Sequence, residues 1–464
     1  MYSPALKTFG TLSVLSATLL AAFPVAAQSN AELLQELRAL RDRVQQLERK
    51  LQGTPAGTPP TGQWGMTPEQ SRELNRLVVK TESLEDSREA AGLKNLSISG
   101  YIDPVFIHNR AQNRSGFQLL NPVSSDGYNY DNSYFGAAVI DFRKETDDGI
   151  KWRLTLAPSR GVGAVMNGDS PVHEASVSIP LGGLQTRLIA GQIPDWSGYE
   201  FLPAPQNKLI THNLLFDFTL PTAYTGVGIE LTRGKWLSKA MLANMNASKR
   251  GAGESAPVLT YRVDYARGEF AGFGFAGVHG KAANFRGDDG VGNPVTGNPY
   301  SLADSNVNLF EVDGYFIRGD WTMQGQLSYG AQKHAAITAD PVSGELRDSR
   351  WWGISALAAY KLSPRLESVL RVDYLENKKN GGGLLGYTFA DARNGIGPDP
   401  MGDPEVGANR TALSLGMSYL LYMNTTLKAE YRIDRASQPV FVYLKDGSMR
   451  RSNQLFGASV VVAF

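Results

Sequence analysis

The chain has 464 residues, and its Lys+Arg count of 46 against an Asp+Glu count of 45 leaves a formal charge of +1. That balance makes no general electrostatic case for nucleic acid or an anionic surface as partner. Cysteine is absent, which excludes disulfide frameworks, thiolate metal sites and cysteine nucleophiles, while 49 glycines and 10% aromatic residues suit many strands joined by many turns.

At the N-terminus Lys7 precedes an apolar run, Phe9 to Phe23, followed by the small residues Val25-Ala26-Ala27. Residues 1–27 therefore read as a secretory signal peptide; an uncleaved anchor is the alternative, and the run is short for a bilayer span. No later stretch is long and apolar enough for a membrane helix, so a membrane-resident chain would have to close into a barrel.

In residues 28–52, Leu33, Leu37, Leu40, Val44, Leu47 and Leu51 step by four and three, the a/d spacing of a heptad. The register pairs Glu36 with Arg41 and Arg43 with Glu48 between parallel neighbours, both of opposite charge. The stretch from Arg43 to Glu48 resembles the Arg-apolar-x-x-apolar-Glu motif of parallel three-stranded coiled coils, which makes Leu37, Leu40, Arg43, Val44, Leu47 and Glu48 the candidate trimerisation residues. The alternative is an amphipathic helix lying on its own domain. About three heptads are marginal alone, so this segment would assist an assembly already favoured by a larger interface.

Residues 53–63, rich in Pro, Gly and Thr, read as a linker. A helix is expected within residues 64–92, with Thr67 as N-cap, Pro68 at the first helical position, Gln70 closing a capping box, and a stop near Gly92.

From residue 93 to 464 the period changes to two. Trp321, Met323, Leu327 and Tyr329 alternate with Thr322, Gln324, Gln326 and Ser328, and Leu427, Ala429, Tyr431 and Ile433 alternate with Lys428, Glu430, Arg432 and Asp434. About sixteen such strands are joined by alternating short and long connections, the pattern of an antiparallel transmembrane β-barrel. The expected short turns lie near 146–149, 181–183, 233–235, 266–272, 318–320, 362–364 and 422–424. The expected long connections are 110–131, 159–171, 194–223, 246–257, 282–307, 331–350, 377–408 and 436–452. Trp152, Trp236 and Trp321 lie beside short turns with the parity of the apolar face, as an interfacial aromatic girdle requires. The last strand ends on Phe464, similar to the C-terminal signal that outer-membrane assembly machinery recognises.

The opposite parity would line the interior with charges, including the acidic Glu311, Asp373, Glu430 and Asp434 and the basic Arg262, Arg371, Lys428 and Arg432. Unpaired charges are costly in a dry core, so the interior is expected to be wet. Arg143, Lys151, Arg153 and Arg187 form a basic wall on the early strands. The connection 194–223 is too apolar for a surface loop, with Trp196, Tyr199, Phe201 and Phe218 all needing a place to pack. It resembles the inward-folded third loop of general porins, and that resemblance makes Asp195, Glu200, Lys208, His212 and Asp217 candidates for a constriction facing the basic wall. The alternative is that these charges only stabilise the loop. A cationic wall would concentrate small anions.

Gly272 to Gly277 fits G-x-G-x-x-G but lies within a strand with no helix to follow, so no dinucleotide is expected. The five histidines lack metal-ligand spacing, and no nucleophile elbow or phosphate loop occurs; no metal or cofactor is expected. A barrel enzyme of lipase or protease type and a surface receptor or adhesin remain as alternative functions.

The segments SISGYIDP, YNYDNSYFGAAVIDF, RLIAGQIPDWSGYE and NKLITHNLLFDFTLPTAYTG resemble an uncharacterised family of Gram-negative outer-membrane proteins over nearly the whole mature chain. Coiled coil followed by barrel is also similar to DcaP-type dicarboxylate porins and phosphate-selective porins, although the arginine ladder of the latter is not evident. The resemblance implies a homotrimer in the outer membrane, its helices in the periplasm. Its expected partners are outer-membrane lipid, the barrel assembly machinery and small polar or anionic solutes.

Overall fold

The computed structural model describes residues 68–120, 135–158, 170–247, 257–284, 292–300, 304–385 and 389–464. The signal segment 1–27, the heptads of 28–52 and the linker 53–63 lie outside the described residues. Helix α1, Pro68–Ala90, begins at the proline and is followed by Gly92 in the left-handed region, which ends it. Leu74, Leu77 and Val78 on α1 are exposed. Asp86 and Ser87, inside α1, mark the boundary between two compact units, and the barrel belongs wholly to the second.

Alternation in the sequence becomes a closed antiparallel cylinder of sixteen strands among the described residues. Strand β1 comprises Leu96–Ile102 and Val105–Asn109, and β2 comprises Arg114–Gln118 and Ala138–Glu145. They are followed by β3 Lys151–Leu156, β4 Val172–Pro180, β5 Thr186–Pro194, β6 Ala223–Arg233, β7 Trp236–Met245 and β8 Val258–Gly268. The second half is β9 Ala271–Ala283, β10 Asp304–Arg318, β11 Trp321–Gln332, β12 Ser349–Ser363, β13 Leu366–Glu376, β14 Arg410–Tyr422, β15 Thr425–Ala436 and β16 Ser452–Ala463. Each strand pairs with its sequence neighbours, and β16 pairs with β1 to close the wall.

At the seam Phe464 and Gly100 exchange two backbone hydrogen bonds, N to O at 3.0 and 3.1 Å. A Cβ on residue 100 would sit 2.3 Å from Val139 O and 2.6 Å from the Phe464 ring, so the terminal phenylalanine lies on a position that only glycine fits.

The seven short connections fall where the sequence places them, on one rim. The long connections rise from the other rim, with one correction. The expected long link 110–131 is a tight turn at 110–113 with Asn113 at φ +48, after which Arg114–Gln118 pairs with Val105–Asn109. Leu119 and Leu120 follow that strand, the described chain resumes at Phe135, and the wall is joined again at Ala138. Pro104 stands in β1 opposite this gap. It has no N–H to lose where its neighbour is interrupted, and Asp103 N reaches Ala137 O at 2.8 Å just beyond.

Facing directions follow the parity. Leu415 is 53% exposed on the outer face while Ser414 beside it is fully buried inside. Ile98, Val227, Leu242, Leu327 and Ile354 continue the exposed apolar band. At the short-turn rim Trp236 packs 4.8 Å from Tyr265, and Trp321 4.7 Å from Tyr360. At the other rim Trp352 packs 5.4 Å from Tyr374. No helix among the described residues is long and apolar enough to cross a membrane, and an apolar outer band between two aromatic belts is the surface that a strand-built span requires.

Because the chain has no cysteine, single labels test this directly. A fluorophore on Leu415→Cys in vesicles is expected to be quenched by brominated lipid, and Arg143→Cys to react with a charged, water-soluble thiol reagent. Reversed accessibilities would mean that the two faces have been exchanged.

Candidate functional site in the barrel interior

The connection from β5 to β6, residues 195–222, folds into the barrel. Its short helix α2, Leu214–Thr219, is capped by Asn213, whose side chain accepts from Leu215 N and Phe216 N. Leu214, Leu215 and Phe218 are buried against inward residues from around the cylinder: Ile107 of β1, Met241 of β7, Leu309 of β10, Trp351 of β12 and Leu455 of β16. Leu384 and Ile396, from the connection after β13, join the same cluster. The part of the barrel around α2 is thus filled by an apolar core rather than by water.

Beside this core the loop is held by arginines, and the same local pattern occurs three times. Arg262-Val-Asp264 on β8, Arg371-Val-Asp373 on β13 and Arg432-Ile-Asp434 on β15 each place an arginine and an aspartate two residues apart, on the inner face. In each, Nε of the arginine donates to its own strand's aspartate, at 2.8, 3.2 and 3.0 Å. The terminal nitrogens then reach carbonyl oxygens of the loop. Arg262 donates to Trp196 O at 2.7 Å, Arg371 to Thr211 O at 2.6 Å and His212 O at 2.9 Å, and Arg432 to His212 O at 2.7 Å.

Carboxylates complete the network. Glu430 on β15 accepts from Ile210 N and Thr211 N at 2.8 and 2.7 Å, and Glu200 of the loop accepts from Arg371 at 2.8 Å and from Asn213 N. Lys428 donates to Ala204 O and Asn207 O, both at 2.7 Å, and Tyr199 bonds Ser355 at 2.6 Å. Burying charges is tolerable here because they are paired and hydrogen-bonded. The expectation of a wet interior is therefore corrected on this side of the barrel, where Arg371, Arg432, Glu430 and Asp434 have almost no solvent contact.

The loop residues singled out from sequence all lie inside the barrel. Asp195 accepts from Tyr224 Oη at 2.6 Å and from Ser197 N, and burial pushes its carboxyl up to about 6. Burial also raises Glu200, against the pull of Arg371. Lys208 pairs with Glu367 at 2.8 Å. His212 stacks on Phe216 at 4.2 Å, and burial lowers its imidazole to about 4, keeping it neutral at pH 7. Asp217 lies 3.8 Å from His212 and 4.0 Å from Arg432. Their close partners stand on β6 and β13 to β15, rather than on the early strands.

The early wall is a separate cluster. Asp141 of β2 holds both Arg143 and Arg153, at 2.6 and 2.8 Å, and Arg153 also pairs with Glu174 at 2.8 Å. The Arg143 side chain remains 56% exposed and Arg153 32%, whereas Asp141 and Glu174 are at 8% and 10%, so the cationic ends face the water. Lys151 pairs loosely with Glu145 at 3.6 Å, and Lys239 with Glu230 at 3.3 Å. Arg187 is buried and bonds Ser178 and Gly149 O, so the structure does not bring it to the water-facing group. Leu202 and Pro203 of the loop approach this wall at Tyr101, Val139 and His173, leaving a cavity of only about 10 Å³ between them.

No group of three or more potential metal ligands occurs among the described residues, and Gly272 to Gly277 lies in β9 with no helix after it.

The family model described as a protein of unknown function, DUF3138, matches residues 66–464. No curated protein matches the chain significantly in sequence. Among solved structures, an anion-selective porin from Comamonas acidovorans superposes with a TM-score of 0.51 at 11% identity, covering 80% of this chain and 99% of that one. Pseudomonas putida OprB gives 0.50 at 10% identity, covering 82% and 96%. Vibrio cholerae OmpT gives 0.50 at 12% identity, covering 80% and 97%. At these identities the likeness is one of fold, a porin-type barrel.

If the arginine network anchors the loop, Arg371→Met will leave Glu200, Asp373 and Glu430 without their shared cation. A loss of about 3–5 kcal/mol is expected for breaking a buried pair in this way. Trypsin should then cut after Lys208 in the folded barrel, while the parent protein resists. Equal resistance would remove Arg371 from the anchor.

Proposed function

Because the chain belongs to the DUF3138 family, whose function is unknown, we propose from its geometry that it is an outer-membrane porin passing small hydrophilic solutes by passive diffusion, with a modest preference for anions. The observation that carries this reading is a closed sixteen-stranded barrel, apolar outside and charged inside, into which one long connection folds. A cylinder of that size leaves room for an aqueous path unless a loop fills it, and here the loop fills part of it.

In this reading solutes pass along the water-facing wall of β2 to β7, past Arg143, Lys151, Arg153 and Lys239, while residues 195–222 set the width. The preference follows from unequal exposure. Asp141 and Glu174 neutralise the wall arginines in total charge, but they sit behind them, so a solute meets guanidinium before carboxylate. Asp195, Glu200 and Asp217 do not offset this, since each is already engaged on the loop's own side. The short-turn rim faces the periplasm together with the N-terminal helices, and the long connections face outward. Residues 1–27 direct export and Phe464 serves the assembly machinery. The heptads of 28–52, with Leu37, Leu40, Val44 and Leu47 in the seam and Arg43 paired to Glu48, assist a homotrimer.

In planar bilayers the purified protein should give discrete conductance steps that close in threes. Arg143→Glu is expected to move the reversal potential toward cation passage, and Arg153 remains in that variant to neutralise Asp141 and Glu174. A silent bilayer with correctly folded protein would sink the channel reading, and an unchanged reversal potential would take Arg143 out of the path.

A further inference from the structure

Outside the interior, a cleft of about 360 Å³ opens at the long-connection rim, lined by Arg347, Asp348, Arg350, Lys379 and Asn380. Two of its charges are already spent. Asp348 accepts from Lys333 Nζ at 2.7 Å and from His334 N at 3.2 Å, and Arg347 pairs with Glu405 at 2.6 Å. Asn380, at φ +55, donates from its side chain to Asp348 O at 2.9 Å and so fixes the 379–381 turn against the start of β12. Arg350 and Lys379 are exposed, and neither has a carboxylate partner among the described residues. A cleft that gathers two uncompensated cations has positive potential to offer an anion.

Its depth in the wall indicates which anion. Arg350 lies on β12 opposite Ala331 of β11, with the outward parity of Trp352 and Ile354. Two residues of strand put it roughly 7 Å beyond Trp352 along the wall. The Trp352–Tyr374 pair is the aromatic belt of this rim, and cations one step beyond such a belt stand at headgroup level rather than in hydrocarbon.

We propose that this cleft binds a phosphate monoester, supplied by the headgroup of an anionic glycolipid in the outer leaflet. The planar fork of Arg350 and the point charge of Lys379 share its oxygens. The site rests on the membrane orientation given above but does not depend on solute passage.

The full-length protein, stripped of lipid in neutral detergent, is titrated with diphosphorylated lipid A and with phosphatidylcholine by native mass spectrometry. Selective retention of lipid A is expected, and Arg350→Ala/Lys379→Ala should weaken it about twenty-five-fold, two surface cations at roughly fivefold each. Arg350→Gln/Lys379→Gln should weaken it alike, which guards against an alanine variant that fails to fold. Inorganic phosphate is added as competitor. Failure to compete assigns the site to the lipid headgroup, whereas displacement of lipid A keeps the phosphate chemistry and assigns the site to a soluble anion. Equal binding of both lipids, or undiminished lipid A binding by a folded double variant, overturns the proposal. A protein silent in bilayers that still selects lipid A would refute the channel alone, and loss of lipid quenching at Leu415→Cys would refute the lipid-facing outer band on which both rest.

Discussion

A backbone surrounded by hydrocarbon has no water to bond, so a wall built of strands must satisfy every N–H and C=O from within itself. The whole molecule follows from that demand. An open sheet would leave two bare edges, and here the edges meet where Phe464 and Gly100 trade hydrogen bonds in both directions. Once the ladder is closed, each strand has an inside and an outside fixed by parity, and a one-residue slip anywhere would turn charged side chains toward lipid. Register and side-chain sorting are therefore one constraint, and Phe464 serves it at the seam.

Much of the wall could be read from sequence because the signal is local. Alternation over ten residues specifies a face, and turns such as Thr146 to Gly149 or Arg318 to Asp320 are short and hold glycine in the left-handed region. The first long connection was illegible for a physical reason. Arg114–Gln118 is five residues long, too short for alternation to stand out, and its place in the wall is decided by pairing with Val105–Asn109. The interruption of β2 beyond it leaves only an indirect mark, the proline in β1 that lacks a donor there.

The inward turn of the loop could be read from sequence, but its partners could not. That residues 195–222 turn inward follows from their apolar content, which must be buried somewhere. That Glu200 meets Arg371 and Thr211 meets Glu430 depends on the register of strands 171 and 219 residues away. One sequence signal could have pointed there, the thrice-repeated Arg-[Val/Ile]-Asp on β8, β13 and β15. Alternation puts the arginine and aspartate of each copy on one face. An aspartate that holds Nε leaves the outer edge of the guanidinium free to bond something else, and the something else is loop backbone.

That arrangement also separates the interior into two electrostatic regimes. A buried ion pair contributes little net stability relative to a well-packed apolar substitute, so the three arginines are better understood as positioning devices than as sources of stability. Their effect reaches the opposite wall. By holding loop carbonyls and engaging Glu200 and Asp217 in the dry half, they keep the loop's acids from turning toward Arg143 and Arg153. Arg143 and Arg153 are then paired, among the described residues, with Asp141 and Glu174, which lie behind them. The field at the early wall is thus set by residues on both sides of the interior, coupled through a loop whose acids Glu200 and Asp217 pair with Arg371 and Arg432.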